Sequence, residues 1–243
     1  MRLYITGGTG FVGSNIIKVA IERHQARVFT TVHTWQSDEA VPFSYARVDM
    51  LDRAGVLESV QRFRPDAIIH SAILNNFDLM YRDRSLAWRA YVEATRILTE
   101  AANQVGAKMV LISTDWVFDG TQSGAGEVTP PNPRNYYGVL KTVSETVVQD
   151  CAENGAIARV SAVNGVHWLQ PTMPRTQDRG MGYFVTTVVD ALTERQSLRI
   201  WEGDGINMFA TPSLASESAE MILRIVARDK RGIFHCCGGE RIG

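Results

Sequence analysis

Three glycines at three-residue spacing, Gly7, Gly10 and Gly13 in TGGTGFVGS, follow the apolar run RLYIT and lead straight into the helical pattern SNIIKVAIERHQ. A strand, a glycine turn and a helix in immediate succession make the first half of a βαβ unit. Each glycine then has a separate duty: the tight turn, close approach of a diphosphate, or close packing of helix on sheet. The helix N-terminus offers unpaired N–H groups and a partial positive charge to phosphate oxygens. Glycines also gather in ordinary turns, so the pattern draws its weight from the strand before it, the helix after it and a second parallel unit beyond.

The rest of the chain repeats that rhythm. Strand-like runs at ARVFTTV, AIIHSA, KMVLIST and AIARVSAV alternate with helical patterns at residues 52–63, 84–105 and in YYGVLKTVSETVVQDCAEN. AIIHSA is apolar on both faces, as a strand between two helix layers must be. The spacing predicts an α/β fold, a Rossmann-type parallel sheet with helices on both faces. The second half is less regular: a loop at 166–182, a helix in GYFVTTVVDALTERQ, a strand at SLRIW, a helix in SLASESAEMILRIVARD and a last strand at GIFHCC. Residues 1–165 thus read as a dinucleotide-binding domain to which later segments return. Residues 166–243 read mainly as a small substrate-binding portion, and the stop just past a glycine turn suggests one shortened at its C-terminus.

Apolar residues make up 45% of the 243 and charged residues 21%, a soluble globular profile. The formal net charge of −1 gives no electrostatic reason to expect nucleic acid or an anionic membrane as partner, and no apolar run is long enough to span a bilayer. The N-terminus passes from strand to glycine turn with none of the features of a cleavable leader. Cys151, Cys236 and Cys237 form no ligand-spaced set with histidines, so no metal site is expected, and a reducing, cytoplasmic setting fits.

After ARVFTTV come His33, Thr34 and Trp35, with Asp38 and Glu39 further along. No carboxylate stands where one would take the adenosine ribose hydroxyls and repel a 2′-phosphate, which favours NADP over NAD, although no well-placed arginine is evident. Asp49 and Met50, at the end of the third strand, are placed to meet the adenine; a turn-capping role for Asp49 is compatible with that.

Tyr137 and Lys141 lie four apart at the start of a helix, on one face and about one turn apart. An ammonium beside a phenol favours the phenolate, and such a pair can exchange a proton with an alcohol or carbonyl oxygen. Ser113 and Thr114 end the preceding strand at the edge where open parallel sheets bind ligands. Asp115 reads as facing the other way, and Tyr136 as wall. Arg134 and Arg175 are candidates for a substrate diphosphate, and His167 and Trp168 for the sugar pocket; His70 reads as core or cofactor-adjacent.

These residues resemble the extended short-chain dehydrogenase/reductase family. TGGTGFVGS, PDAIIHSA and Tyr137-x-x-x-Lys141 are family-wide marks, while STDWVFDG and PPNPRNYYGVLKTVSE are closer to the dTDP-4-dehydrorhamnose reductase branch. The resemblance implies a catalytic trio of Thr114, Tyr137 and Lys141. It implies a pyrophosphate lining of Gly7, Thr9, Gly10, Phe11, Val12 and Gly13, with Ser71 and Ala72 flanking the cofactor and Val160 to Ala162 approaching the nicotinamide. Tyr137 and Lys141 would also contact the cofactor, and Asn207 would belong to the substrate portion. The implied reaction is NAD(P)H-dependent reduction of a 4-keto group on a nucleotide-linked deoxysugar; the assembly stays open, with a homodimer among the options. Two departures stand out: Tyr91 occupies a family-typical asparagine position, and chains of this branch usually continue past a segment like GGERIG. An epimerase or dehydratase that returns its hydride, and a non-catalytic NADP-binding regulatory subunit, remain alternatives.

Overall fold

The computed structural model describes residues 1–37, 39–122, 124–171, 184–199 and 209–242. Strand β1 (Arg2–Thr6) runs through the centre, fully buried from Leu3 onward, and pairs in parallel with both β2 (Arg27–Val32) and β4 (Ala67–His70). Around it lies a seven-stranded sheet in the order β3-β2-β1-β4-β5-β6-β9, with β3 at Ser44–Arg47, β5 at Lys108–Thr114, β6 at Gly155–Val160 and β9 at Gly232–His235. Every pairing in this sheet is parallel, so each connection must cross over, and helices supply the crossovers except between β2 and β3, where the described residues between Val32 and Ser44 hold no helix.

Alternation along the strands sorts the core into two layers. On one face, Ile16, Ile17 and Ala20 of α1 (Phe11–His24) and Ile222 and Leu223 of α8 (Ala215–Ala227) bury Ile5, Ile69 and Val110. On the other, Val56 and Val60 of α2 (Arg53–Phe63), Leu98 of α5 (Ala94–Val105) and Val148 of α6 (Tyr136–Cys151) cover Tyr4, Ile68 and Met109. Asp52 caps α2, its carboxylate accepting from Gly55 N. Thus α8 and β9 return to the main sheet from the irregular second half.

The helical pattern expected over 84–105 is interrupted. After α3 (Phe77–Arg82) and α4 (Arg84–Trp88), a single π-turn spans Arg89–Glu93 before α5 begins, and Gly106 ends α5 with φ at +68°. The extra residue of a π-turn breaks the regular ladder. Here the Tyr91 carbonyl accepts from two side chains, Thr95 Oγ1 at 2.6 Å and Ser144 Oγ at 3.2 Å.

The second half departs from expectation at SLRIW. Residues 197–199 form no strand, and the remainder of that run lies outside the described residues, as do Asp38, Arg175, Asn207 and residues 172–182 of the expected loop. Instead β7 (Val163–Asn164) and β8 (Ser213–Leu214) form a small parallel pair, and α7 spans Phe184–Thr193. Among the described residues no helix is long and apolar enough to cross a membrane.

Candidate active site

The glycine turn sits between β1 and α1, at the point where the chain's strand order reverses on either side of β1. Gly7 adopts φ +67°, and a Cβ there would lie 2.7 Å from the Ala72 backbone. A Cβ on Gly13 would stand 2.2 Å from the Gly7 carbonyl oxygen, so the first turn of α1 rests directly on the loop. Gly10 is exposed at the N-cap of α1, and no side chain caps that terminus. An uncapped helix start behind a loop too tight for side chains fits a dinucleotide diphosphate. Ser71 and Ala72 close the other wall: Ser71 Oγ donates to Thr6 O at 2.7 Å, and Ala72 N to Thr6 Oγ1 at 3.3 Å. Thr9 and Val12 are half-buried at the rim, while Phe11 is buried against His167, ring centroids 6.3 Å apart.

Two strands away, β5 delivers Thr114 to the same C-terminal edge, paired in register with Val160 of β6. Thr114 Oγ1 donates to Asp115 Oδ1 at 3.1 Å and accepts from Trp116 N at 3.2 Å. Ser161 Oγ donates to the other Asp115 oxygen at 2.7 Å. Asp115 therefore does not face away from Thr114, as its place in the strand alternation suggests. The strand ends at Thr114, and the 3₁₀ turn over Asp115–Val117 swings the carboxylate back to its neighbour. Burial pushes the Asp115 carboxyl up, against the opposing hydrogen bonds from Ser161 and Thr114. Ala162, just beyond, holds a left-handed φ of +40°, and its carbonyl accepts from Asn164 Nδ2 at 2.6 Å.

Helix α6 brings the remaining pair. Asn135 caps it, accepting from Gly138 N at 2.8 Å, so that Tyr137 and Lys141 fall in its first two turns. Tyr137 packs against Phe77, Tyr91 and Trp116 with ring centroids 5.7, 5.8 and 5.7 Å away. Lys141 is buried, donates to Ile112 O at 2.8 Å, and places its Nζ 5.6 Å from the Tyr91 ring. Tyr91 thus touches both members of the pair, and its own hydroxyl is tied to Leu74 O at 3.2 Å. Burial lowers Lys141 to about 8, with Glu145 opposing the shift. His70, also buried, bonds Thr6 Oγ1 through Nδ1 at 2.7 Å; burial, then the charge of Lys141, holds it down to about 3, a neutral core imidazole.

One turn past Lys141 lies a polar group that the sequence reading passed over. Glu145 and Arg159, each 2% exposed, form a bidentate pair at 2.9 and 2.7 Å, and Ser113 Oγ donates to Glu145 at 2.5 Å. Arg159 also stacks 5.0 Å over the Phe118 ring. Ser113 therefore serves this buried network while Thr114 faces Asp115. The available signal was a lone arginine inside the otherwise apolar strand AIARV, which needs a buried carboxylate.

Asp49 accepts from Leu51 N at 2.9 Å, a turn-forming role, and Met50 packs on the core layer under α2. Of the two sugar-pocket candidates, His167 meets Phe11 and Ser14 of α1, and Trp168 packs against Phe43 at 6.2 Å. Asn15 Nδ2 of α1 donates to Val166 O at 3.1 Å, which ties the segment after β7 to that helix. Arg134 is exposed, near Asp119. Cys236 is buried filler, its thiol pushed up to about 12 by burial.

The reversed strand order, the glycine cradle and the lysine-bearing helix at the sheet edge define a Rossmann-type α/β fold with a dinucleotide-type glycine turn. Within that class the chain belongs to the RmlD substrate binding domain family, which matches residues 1–242. Methionine adenosyltransferase 2 subunit beta of Xenopus tropicalis is 33% identical over 164 residues, 68% of this chain and 47% of that protein. The chain therefore spans about half the length of such curated relatives, 47% here. A hypothetical dTDP-4-dehydrorhamnose reductase from Sulfolobus tokodaii superposes with a TM-score of 0.81 at 28% identity, covering 100% of this chain and 78% of the other. The Bacillus anthracis dTDP-4-dehydrorhamnose reductase, solved in complex with NADP, shares the fold at a TM-score of 0.76 and 24% identity, covering 100% and 76%.

Proposed function

We propose that this chain reduces the 4-keto group of a nucleotide-linked deoxysugar with NAD(P)H, in the manner of a dTDP-4-dehydrorhamnose reductase. The observation that supports this reading is that Tyr137 packs on Trp116 and Lys141 donates to Ile112 O, the residues two positions on either side of Thr114. When bound, the nicotinamide supplies a hydride to the carbonyl carbon. The Tyr137 hydroxyl supplies the proton that the carbonyl oxygen takes up, leaving an alcohol, and solvent returns a proton to the phenolate. Lys141 holds a positive charge on the Tyr137 face of α6, and Thr114 orients the carbonyl oxygen by hydrogen bonding. The glycine turn and the start of α1 seat the diphosphate, with Ser71, Ala72 and Val160 to Ala162 as walls.

Purified protein given NADPH and a dTDP-linked 4-keto-6-deoxysugar is expected to consume one cofactor per alcohol formed. Tyr137→Phe should lower kcat by about a hundredfold or more, the lower end of general acid contributions. Undiminished turnover in that variant refutes Tyr137 as the acid. The likeness to methionine adenosyltransferase 2 subunit beta supports a second reading, a cofactor-binding subunit without turnover. Tight NADPH binding with no consumption on any keto sugar would favour it.

A further inference from the structure

We infer that Arg47 reads the adenosine 2′-phosphate and makes the cradle selective for NADP. The inference rests on the cofactor reading of the glycine turn, and is independent of the chemistry assigned to Tyr137.

The ribose of a dinucleotide seated on this turn lies at the C-terminal end of β2, where a carboxylate selects NAD and a guanidinium accommodates NADP. Beyond Val32 the chain carries His33 and Thr34, both exposed, and no acid until the segment around Asp38. In sequence no arginine stands nearby, but the sheet supplies one. Strand β3 pairs with β2 in parallel, and Val32 stands opposite Arg47. Neighbouring strands are about 4.8 Å apart, so the Arg47 guanidinium is within side-chain reach of the β2 terminus.

Arg47 shares a face with Tyr45, two residues earlier, and with Thr30 and Val32 of β2. That face belongs to the cradle, because Thr30 Oγ1 accepts from Gly8 N at 3.1 Å. Trp35 packs edge-on to Tyr45 at 5.1 Å and against Phe43 at 6.1 Å. This pins the chain leaving β2 back over β3, toward its N-terminal end. Arg47 is exposed, and its guanidinium makes no hydrogen bond or ion pair with any described residue. The nearest carboxylate in sequence, Asp49, is engaged with Leu51 N. Arg47 is the single lysine or arginine in residues 31–37 and 46–51.

The test uses two small probes, 2′,5′-ADP, which carries the 2′-phosphate, and 5′-ADP, which lacks it. Their binding to the intact chain is measured by calorimetry. The wild type should prefer 2′,5′-ADP by about tenfold or more, the range of a charge-assisted guanidinium–phosphate contact. Arg47→Ala should equalise the probes, Arg47→Glu should invert the preference, and Arg47→Lys should restore part of it. Binding of 5′-ADP should change little in Arg47→Ala, which a merely unfolded variant would not show. His33→Ala and Tyr137→Phe should both keep the preference. Equal binding of the two probes to the wild type, or a preference that survives Arg47→Ala, overturns the assignment of Arg47 and leaves the cradle standing. Failure to bind either probe overturns both.

Discussion

The glycine turn and the start of α6 lie on the same edge of one sheet, yet they are held in different ways. The cradle is made of backbone: a loop against which even a methyl group on Gly13 would sit 2.2 Å from a carbonyl oxygen, and a helix start with no capping side chain. The region around α6 is made of side chains. Tyr91 packs against Tyr137 and Lys141, Asp115 accepts from Thr114 and Ser161, and Glu145 binds Arg159 and Ser113. Main chain placed by sterics gives a site that nothing nearby can relax. Side chains placed by one another give a site whose charge depends on burial.

That contrast is most directly broken at Glu145. Removing it leaves Arg159, 2% exposed, without its carboxylate. Glu145→Ala should therefore cost about 3–5 kcal/mol of stability, the usual penalty for stranding one member of a buried pair. Denaturant unfolding measures it, and a loss below about 1 kcal/mol would mean that water reaches the guanidinium. The cradle should respond in the opposite sense. Gly13→Ala should weaken NADPH binding by about a hundredfold, roughly 3 kcal/mol, because the neighbours it meets are backbone atoms. Equal affinity in the variant would show that α1 can shift away from the loop.

The smallest effect sharpens the electrostatic half of the comparison. Burial holds Lys141 at about 8, below its ordinary 10.5, so the unfolded chain binds that proton more tightly than the folded one. The contribution of this group to stability consequently rises as pH climbs from about 8 toward 10.5, and is absent below the lower value. Comparing wild type with Lys141→Met across that window isolates it: the wild type should gain on the variant as pH rises. A constant gap between the two would mean that Lys141 keeps its ordinary affinity for protons. Turnover, if it needs the ammonium, should decline over the same interval.

Much of the cradle was legible in the sequence because its causes are local. The spacing of Gly7, Gly10 and Gly13 between an apolar strand and an amphipathic helix is enough to place the loop, and the flanking alternation is enough to place the sheet. Tyr137 and Lys141 were legible for the same reason, four residues apart on one helix. Asp115 was misread because its direction depends on where β5 stops and a 3₁₀ turn begins. The surroundings of His167 and Trp168 were not legible because they come from Phe11 and Ser14 of α1 and from Phe43, all more than 120 residues earlier in the sequence. The alternation at SLRIW suggested a strand, but residues 197–199 form none, because alternation alone does not supply a pairing partner.

By itself, the order of residues determined the alternating strands and helices, the glycine loop and the Tyr137–Lys141 spacing, since each follows from contacts within a few residues. Only the tertiary structure decided that Glu145 meets Arg159, that Tyr91 packs on Lys141 and that Arg47 stands beside Val32. Those neighbours come from different crossovers of a parallel sheet. Strand register and helix packing, which no short stretch of sequence encodes, set their distances.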